Sequence, residues 1–265
     1  MDRSKILVSI PHAGTEIPEE IRSCIPLSDH VLRNESDLYT DQIFSIADAS
    51  IVTTKYSRII SDPNRAPDET YTEGVLRALG VVMLNLPSGV QTFTTDPTID
   101  DISGWIDRFH KPYHDKLQKS LVNAQFIFDC HSMWSQSAAG HFGGNTERAD
   151  VILGNQYFCS CSAETTNFFA EYFTNKGYTV AVNDPYPGRY ILGTYCSRIG
   201  LPGIQIEFNR ALYLDEQTLE PRNKDIQKLH LEFDDLVTSF CHWFEGPQDI
   251  AETDPVDMSE HIEFI

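Results

Sequence analysis

The sequence is poor in basic residues. Its 265 residues include 20 Lys and Arg against 39 Asp and Glu, for a formal net charge of −19. Nucleic-acid binding depends on clustered Lys and Arg, so this balance argues against a nucleic-acid partner. The overall field would also repel an anionic substrate, and a few local arginines would have to hold one in place.

Long apolar runs and paired cysteines are missing as well. No stretch reaches the ~18 consecutive apolar residues of a membrane span. The first apolar segment is also too short and wrongly flanked for a signal peptide, which predicts a cytoplasmic protein without a membrane partner. The six cysteines are scattered and form no Cys-x-x-Cys zinc motif, so most are expected to be buried thiols.

What the sequence does contain is an alternation of short apolar runs with helical patterns. The runs predict strands at Ile6–Ile10, Ile51–Thr54, Arg58–Ile60, Val81–Leu84, Phe126–Cys130, Val151–Leu153, Tyr178–Val182 and Ile204–Phe208. The helical patterns cover Leu38–Ala49, Ser103–Ala124, Ala163–Lys176 and Gln217–Phe244. Such alternation predicts an α/β fold with a mixed, largely parallel sheet and helices on both faces. We expect one domain over residues 1–245 and an acidic tail over 246–265.

Two histidines follow predicted buried strands. His12 comes directly after Ile6–Ile10, and His131 follows Phe126–Cys130 with Asp129 two residues before it. Reactive groups collect beyond the carboxyl ends of strands in open α/β sheets, so the two rings are expected to meet. A carboxylate near a histidine suits the hydrogen bond that orients a metal ligand. Taken alone, His12 is as well explained as a loop histidine bound to the backbone.

A catalytic zinc needs a third protein ligand, and an Asp or Glu oxygen is the usual complement to two histidines. Glu207 follows Ile204-Gln205-Ile206 at the end of another predicted strand. Near a metal it would accept a proton from water and pass it to a leaving amine. An ion pair with Arg210 is the alternative role.

Arginines suited to an anionic substrate occur in Ser57-Arg58 and Asp62-Pro63-Asn64-Arg65. The guanidinium groups of Arg58 and Arg65 have the geometry for bidentate carboxylate binding, and Asn64 adds a polar contact. Surface ion pairs are the alternative. Ser132, beside His131, is not a convincing nucleophile because the chain lacks the Gly-x-Ser-x-Gly elbow.

Six short motifs occur in an order that resembles the N-formylglutamate amidohydrolases, from about residue 5 to residue 215. They are Pro11-His12-Ala13-Gly14, Ser36-Asp37-x-x-Thr40-Asp41, Ser57-Arg58 with Asp62-Pro63-Asn64-Arg65, Pro112-Tyr113-His114, Asp129-Cys130-His131-Ser132 and Gln205-Ile206-Glu207. Each is weak alone, and their shared order makes the resemblance specific.

The resemblance extends to zinc carboxypeptidases and aspartoacylases, and it implies a phosphorylase/hydrolase-like α/β fold. It implies that His12 and His131 bind zinc and that Glu207 activates water. Asn64 and Arg65 would hold a substrate carboxylate, at the amino-acid end of a small N-acyl amino acid such as N-formylglutamate.

The chain departs from the pattern in places. Carboxypeptidase-like enzymes carry a ligating Glu three residues after the first His, where this chain has Thr15 and then Glu16. Asp37 matches an acidic position of the formylglutamate family and is the preferred third ligand, with Glu16 as its rival. Arg189 stands where a small residue is usual, so it would add an anion contact or narrow the pocket.

The function expected from these residues is zinc-dependent hydrolysis of the amide bond of a small anionic N-acyl amino acid. Arg58 would assist in holding the substrate, and Tyr113 and His114 are candidate donors to the oxyanion, with a helix cap or a core contact as the alternative. Two other classes compete: a zinc exopeptidase, and a metal-free carboxylate-binding protein on the same scaffold.

Overall fold

The protein is built around one six-stranded sheet. The computed structural model describes residues 1–71, 73–136 and 147–244, so the predicted acidic tail lies outside the described residues. The strands are β1 (Ile6–Ile10), β2 (Ser50–Thr53), β3 (Phe126–Met133), β4 (Val151–Gly154), β5 (Val180–Val182) and β6 (Gly203–Asn209). Their order is β2-β1-β3-β6-β4-β5, and every pair is parallel except β4 with β6.

Helices cover both faces of this sheet, which confirms the predicted α/β architecture. They are α1 (Glu19–Arg22), α2 (Asp29–Asn34), α3 (Thr40–Ile43), α4 (Ile99–Trp105), α5 (Lys111–Leu121), α6 (Ala163–Asn175), α7 (Tyr190–Leu192) and α8 (Asn223–Trp243). A π-helical turn, Ile106–His110, joins α4 to α5. Within the described part of the chain, no helix combines the length and hydropathy of a membrane span.

The two faces of the sheet differ in chemistry. One face is largely apolar, because alternate side chains of β1, β3 and β6 pack with α3, α6 and α8 in the main core. The opposite face begins apolar, with Leu7 and Ile127 packed against α5 and α7. Towards the carboxyl ends of β3 and β6 it becomes polar, with Asp129, His131 and Glu207 all buried. The hydrophobic pattern therefore fixes which face can carry a reactive site.

Two predicted strands are wrong. The apolar side chains of these segments, Ile59, Ile60 and Val81–Leu84, fill a second hydrophobic core outside the sheet. Their backbone groups bond to each other and not to the sheet: the Met83 amide donates to the Ile59 carbonyl at 2.9 Å, and the Asp62 amide donates to the Val81 carbonyl at 2.7 Å. A short apolar run shows burial but does not show which backbone it pairs with.

Two predicted helices are shorter than the sequence pattern indicated. The pattern over Leu38–Ala49 forms only α3, of four residues. The pattern over Gln217–Phe244 becomes helical only at Asn223, because a bridge between Leu214 and Pro221 closes a turn first. These differences leave the sheet and its helical layers unchanged.

Gly14 lets the loop after β1 pass against the chain that follows β2. A Cβ atom at this position would lie 2.4 Å from the Lys55 carbonyl carbon and 2.5 Å from the Tyr56 carbonyl oxygen. Beyond the glycine, the Glu16 amide donates to the Lys55 carbonyl at 2.9 Å. This close approach sets the path of the loop that carries His12.

Gly14→Ala should lower the free energy of unfolding by about 2 kcal/mol or more, because the added methyl group meets backbone atoms that must move. Gly104→Ala is the matched control. Gly104 lies within α4 and its Cβ would meet no atom within 4 Å, so this change should stabilise by about 0.5–1 kcal/mol. Urea unfolding of the two variants measures both effects, and equal shifts would contradict the close-approach argument.

Candidate metal centre and active site

Three buried side chains converge at the carboxyl edge of the sheet. The Nδ1 atoms of His12 and His131 are 3.1 Å apart, and the Asp37 Oδ2 atom is 3.4 Å from the first and 3.3 Å from the second. All three residues are almost inaccessible to solvent. Within the described ranges they form a group of His and Asp side chains that could hold a metal ion.

Neighbouring backbone segments bring these residues together. His12 lies two residues after the end of β1, and its carbonyl accepts a 2.8 Å hydrogen bond from the Asp37 amide. His131 lies within β3, two residues before its end, rather than beyond the strand as the sequence suggested. Because β1 and β3 are adjacent and parallel, the two rings rise from the same edge of the sheet.

A carboxylate holds the far nitrogen of each imidazole. The Nε2 atom of His12 is 2.7 Å from Asp62 Oδ1, and that of His131 is 3.1 Å from Asp129 Oδ2. With the proton on Nε2 in each ring, the Nδ1 lone pairs both point towards Asp37. This is the arrangement by which proteins orient histidine ligands for a metal. Asp62 was not recognised from the sequence, although it lies within a quoted motif.

Lone pairs from three acceptors so close together repel one another unless a positive charge lies among them. Ligand atoms bound tetrahedrally to zinc at about 2.0–2.1 Å lie about 3.3 Å apart, close to the observed spacings. Burial opposes protonation of His131, but Asp129 and Asp37 still raise its pKa well above the ordinary value. The residues therefore fit a cation, and the donor set of two imidazoles and one carboxylate fits zinc.

Arg210 fixes the third candidate ligand. One of its nitrogens lies 3.0 Å from Asp37 Oδ1, which leaves Oδ2 facing the two histidines. Its other groups donate to the Asn34 carbonyl at 2.8 Å and to Ser132 Oγ at 3.2 Å. Burial would raise the pKa of Asp37, but the neighbouring His12, His131 and Arg210 keep it well below its usual range. Arg210 had been considered only as a partner for Glu207.

The geometry contradicts Glu16 as the third metal ligand. Its side chain is more than half exposed and forms an ion pair with Lys55 at 2.7 Å. The backbone pairing of Glu16 with the segment after β2 turns this side chain away from the histidines. Asp37 occupies the position at the cluster.

Glu207 stands beside this cluster. Its Cα pairs with that of His131 across β3 and β6, so both side chains are on the same face. Its Oε1 atom accepts a 3.1 Å hydrogen bond from Gln205, and it forms no ion pair with Arg210. Burial raises its pKa to about 7, despite the opposing effect of His131. A carboxyl group with this pKa can gain and lose a proton near neutral pH.

Arg58 and Arg65 lie on the long segment between β2 and α4, in different environments. Arg58 donates two hydrogen bonds to Asp62 Oδ2, at 2.6 and 3.0 Å, and so supports the carboxylate behind His12. Arg65 is 9% exposed, and its guanidinium donates to the carbonyls of Leu79 at 2.9 Å and Asn64 at 3.1 Å. Burial lowers the pKa of Arg65 to about 10.

Asn64 connects the arginine segment to the metal cluster. Its Nδ2 atom lies 3.3 Å from Asp129 Oδ2, and its Oδ1 atom accepts a 3.0 Å bond from the Ile191 amide. The side chain thus already has protein partners on both sides. Asn64 holds the carboxylate that orients His131, a role different from the substrate contact expected from the sequence.

Tyr113 and His114, on α5, also have protein partners. The Tyr113 hydroxyl contacts Ser9 Oγ at 2.9 Å, and Ser9 in turn donates to Asp129 at 3.0 Å. The His114 ring contacts the Tyr195 hydroxyl at 2.8 Å and the Pro63 carbonyl at 2.9 Å. Both side chains therefore bond to the protein and leave no free donor for an oxyanion. They support the site through core contacts, the alternative role considered in the sequence analysis.

Acid should destabilise the fold through His114. The unfolded chain binds a proton at the ordinary histidine pKa of 6.5, whereas burial lowers the folded value to about 4. Stability is thus full above about pH 6.5 and falls with decreasing pH, by at most about 1.4 kcal/mol per unit, until about pH 4. Urea unfolding across this range should show a shallower pH slope for His114→Gln than for wild type.

Tyr195→Phe is the control for this measurement. It removes a hydrogen-bond partner of His114 at 2.8 Å but keeps the titrating ring. Its stability should fall at every pH while the slope persists. Identical slopes for wild type and His114→Gln would show that other groups cause the acid sensitivity.

The fold and the site define an α/β protein with a buried, metal-competent cluster and an adjacent carboxylate at the carboxyl edge of its sheet. A family model described as N-formylglutamate amidohydrolase matches residues 4–214. The chain belongs to the N-formylglutamate amidohydrolase family, as its motifs indicated.

Individual relatives agree with this assignment. The chain is 26% identical over 230 residues to an N-formylglutamate deformylase of Pseudomonas putida, covering 81% of this chain and 83% of that protein. A crystal structure of an N-formylglutamate amidohydrolase from Ralstonia eutropha JMP134 has a TM-score of 0.79 at 22% identity, covering 90% and 93% of the two chains. A gene product of Agrobacterium tumefaciens has a TM-score of 0.66 at 16% identity, covering 90% and 92%. These two structures support the fold.

Proposed function

We propose that this protein hydrolyses the amide bond of a small N-acyl amino acid, most simply N-formylglutamate, with zinc as its metal. The observation that carries the proposal is the triangle of His12, Asp37 and His131, with ligand atoms 3.1–3.4 Å apart, beside Glu207. The family to which the chain belongs, and the name of its relative from Pseudomonas putida, supply the reaction class.

In this proposal His12 and His131 bind the metal through Nδ1, and Asp37 binds it through Oδ2. Zinc, when bound, would polarise an acyl carbonyl and lower the pKa of its bound water to about 7. Asp62 and Asp129 keep the two rings in the required tautomer.

Glu207 acts as the general base and then as the general acid. It accepts the proton of the attacking water and delivers it to the departing nitrogen. Two observations support this role: Glu207 pairs with His131 across β3 and β6, and its pKa of about 7 suits both steps. Gln205 holds one oxygen at 3.1 Å and so limits the rotation of the carboxylate.

Arg65 binds the substrate carboxylate at the amino-acid end. Its guanidinium is nearly buried, and among the described residues it has no carboxylate within ion-pair distance. Leaving such a charge without an anion is costly, so a substrate carboxylate is the expected partner. Arg58 contributes by holding Asp62, and Asn64 by holding Asp129.

Asp37→Asn should weaken zinc affinity by more than the roughly 10–100-fold that follows loss of a hydrogen-bond partner of a ligand. The matched control is Glu16→Gln, which removes an exposed acid that pairs with Lys55 and should leave affinity unchanged. Titration against a zinc chelator measures both. Equal losses, or full zinc occupancy in a His12→Ala, His131→Ala double variant, would contradict the ligand assignment.

Glu207→Gln should lower kcat for N-formyl-L-glutamate by about 100-fold or more, because the amide keeps the shape of the side chain but cannot accept the proton. Zinc affinity and the free energy of unfolding should stay near those of wild type. A zinc-loaded, stable variant with wild-type turnover would remove Glu207 from the mechanism. A variant that loses zinc would make Glu207 a ligand instead.

The same assay separates the competing functions when N-formyl, N-acetyl and N-succinyl amino acids are compared with dipeptides. An amidohydrolase should prefer an N-acyl amino acid. Faster cleavage of dipeptides would favour the zinc exopeptidase. Binding without turnover in the zinc-loaded protein would favour the carboxylate-binding protein.

A further inference from the structure

Most arginines of the chain that are shielded from solvent face a carboxylate. Among residues 1–71, 73–136 and 147–244, five arginines have no carboxylate within ion-pair distance. Three of these five are exposed: Arg33, Arg189 and Arg198. The remaining two are Arg65 and Arg148, which are buried and partly buried. Arg65 already has a role in the proposed function, whereas Arg148 has none.

Arg148 is held in a defined orientation just before β4. Its guanidinium lies over the Tyr186 ring, 5.1 Å from the centroid, and Nη1 donates to the Trp134 carbonyl at 3.1 Å. Its Nε atom is shielded from solvent and has no hydrogen-bond partner in the described part of the protein. The Nε and Nη2 edge, which is the edge that binds carboxylates bidentately, therefore has no protein acceptor among the described residues.

The position of Arg148 relative to Glu207 follows from the sheet. Glu207 on β6 has His131 of β3 on one side and Ile152 of β4 on the other. Asn209, two residues beyond Glu207 and on the same face, contacts the Arg148 carbonyl at 3.4 Å. Arg148 therefore stands on the β4 side of the site.

Arg65 stands on the opposite side, because its neighbour Asn64 contacts Asp129 of β3. The candidate base therefore has a guanidinium without a carboxylate partner on either side. Tyr186 joins Arg148 to the site electrostatically: burial raises the pKa of its hydroxyl, Glu207 adds to that increase and Arg148 opposes it.

We infer that Arg148 is a specificity-determining residue, which binds the second carboxylate of a dicarboxylic N-acyl amino acid while Arg65 binds the first. The inference rests on the proposed function, since it takes Arg65 and Glu207 in the roles given there. The substrate spans the two guanidiniums with its amide next to Glu207. In a chain with a net charge of −19, such local arginines are needed to hold a dianion.

The test compares N-formyl-L-glutamate with N-formyl-L-glutamine, which differ by the side-chain charge. Arg148→Gln should lower kcat/KM for the glutamate substrate by about 10-fold or more, the effect of losing a charge-assisted hydrogen bond. The same variant should change kcat/KM for the glutamine substrate by less than about 2-fold. Arg198→Gln, at an exposed arginine, is the matched control and should leave both values unchanged.

Equal losses on both substrates would overturn the inference and make Arg148 a structural residue. A selective loss in Arg189→Gln with none in Arg148→Gln would overturn it too and move the second carboxylate to Arg189. Urea unfolding of each variant excludes a loss caused by misfolding.

Binding of glutarate, a dicarboxylate without a scissile bond, separates this inference from the proposed function. Calorimetry should show tighter binding of glutarate than of butyrate, and Arg148→Gln should abolish the difference. If zinc-loaded wild type hydrolyses neither substrate, the proposed function fails while the glutarate result still decides the role of Arg148. Equal binding of glutarate by wild type and Arg148→Gln would overturn the inference.

Discussion

Burial of charge on one face of the sheet is the constraint on which the site depends. Asp129, fully buried on β3, has Ser9 on one oxygen and His131 with Asn64 on the other. Asp62, nearly as buried, has His12 and Arg58. A buried carboxylate without partners is very unfavourable, so each of these contacts has to form if the chain is to fold this way. The same contacts direct both imidazoles towards Asp37, which links folding of the sheet to assembly of a metal-competent cluster.

Elements outside the sheet hold these partners in place. The segment between β2 and α4 carries Arg58, Asp62 and Asn64, and its second hydrophobic core anchors it without strands. Two histidines of the adjoining helical layer contact the backbone of this segment. His114 contacts the Pro63 carbonyl and His110 contacts the Arg65 carbonyl, both at 2.9 Å. His110 is the last residue of the π-helical turn, and such turns often occur at functional sites.

Much of the fold was predictable because the sheet is buried on both sides. Apolar runs predicted β1, β3 and β6. The polar residues at the ends of these runs, His12, His131 and Glu207, predicted the site. The short apolar runs at 58–60 and 81–84 wrongly predicted strands, because burial in a second core leaves the same sequence pattern as burial in a sheet. Short-range sequence reports how buried a segment is, whereas the choice of backbone partner depends on residues far away in the chain.

The sequence by itself determined the α/β class, the family and the order in which the candidate site residues arrive. Only the tertiary structure decided which acid faces the histidines. The backbone bond from the Asp37 amide to the His12 carbonyl holds Asp37 at the cluster, whereas Glu16 pairs with the segment after β2 and its side chain bonds to Lys55. The tertiary structure likewise pairs Arg210 with Asp37 rather than with Glu207. The physical reason is that composition and spacing specify the chemistry of a side chain, while its direction and its partner are set by hydrogen bonds between distant segments.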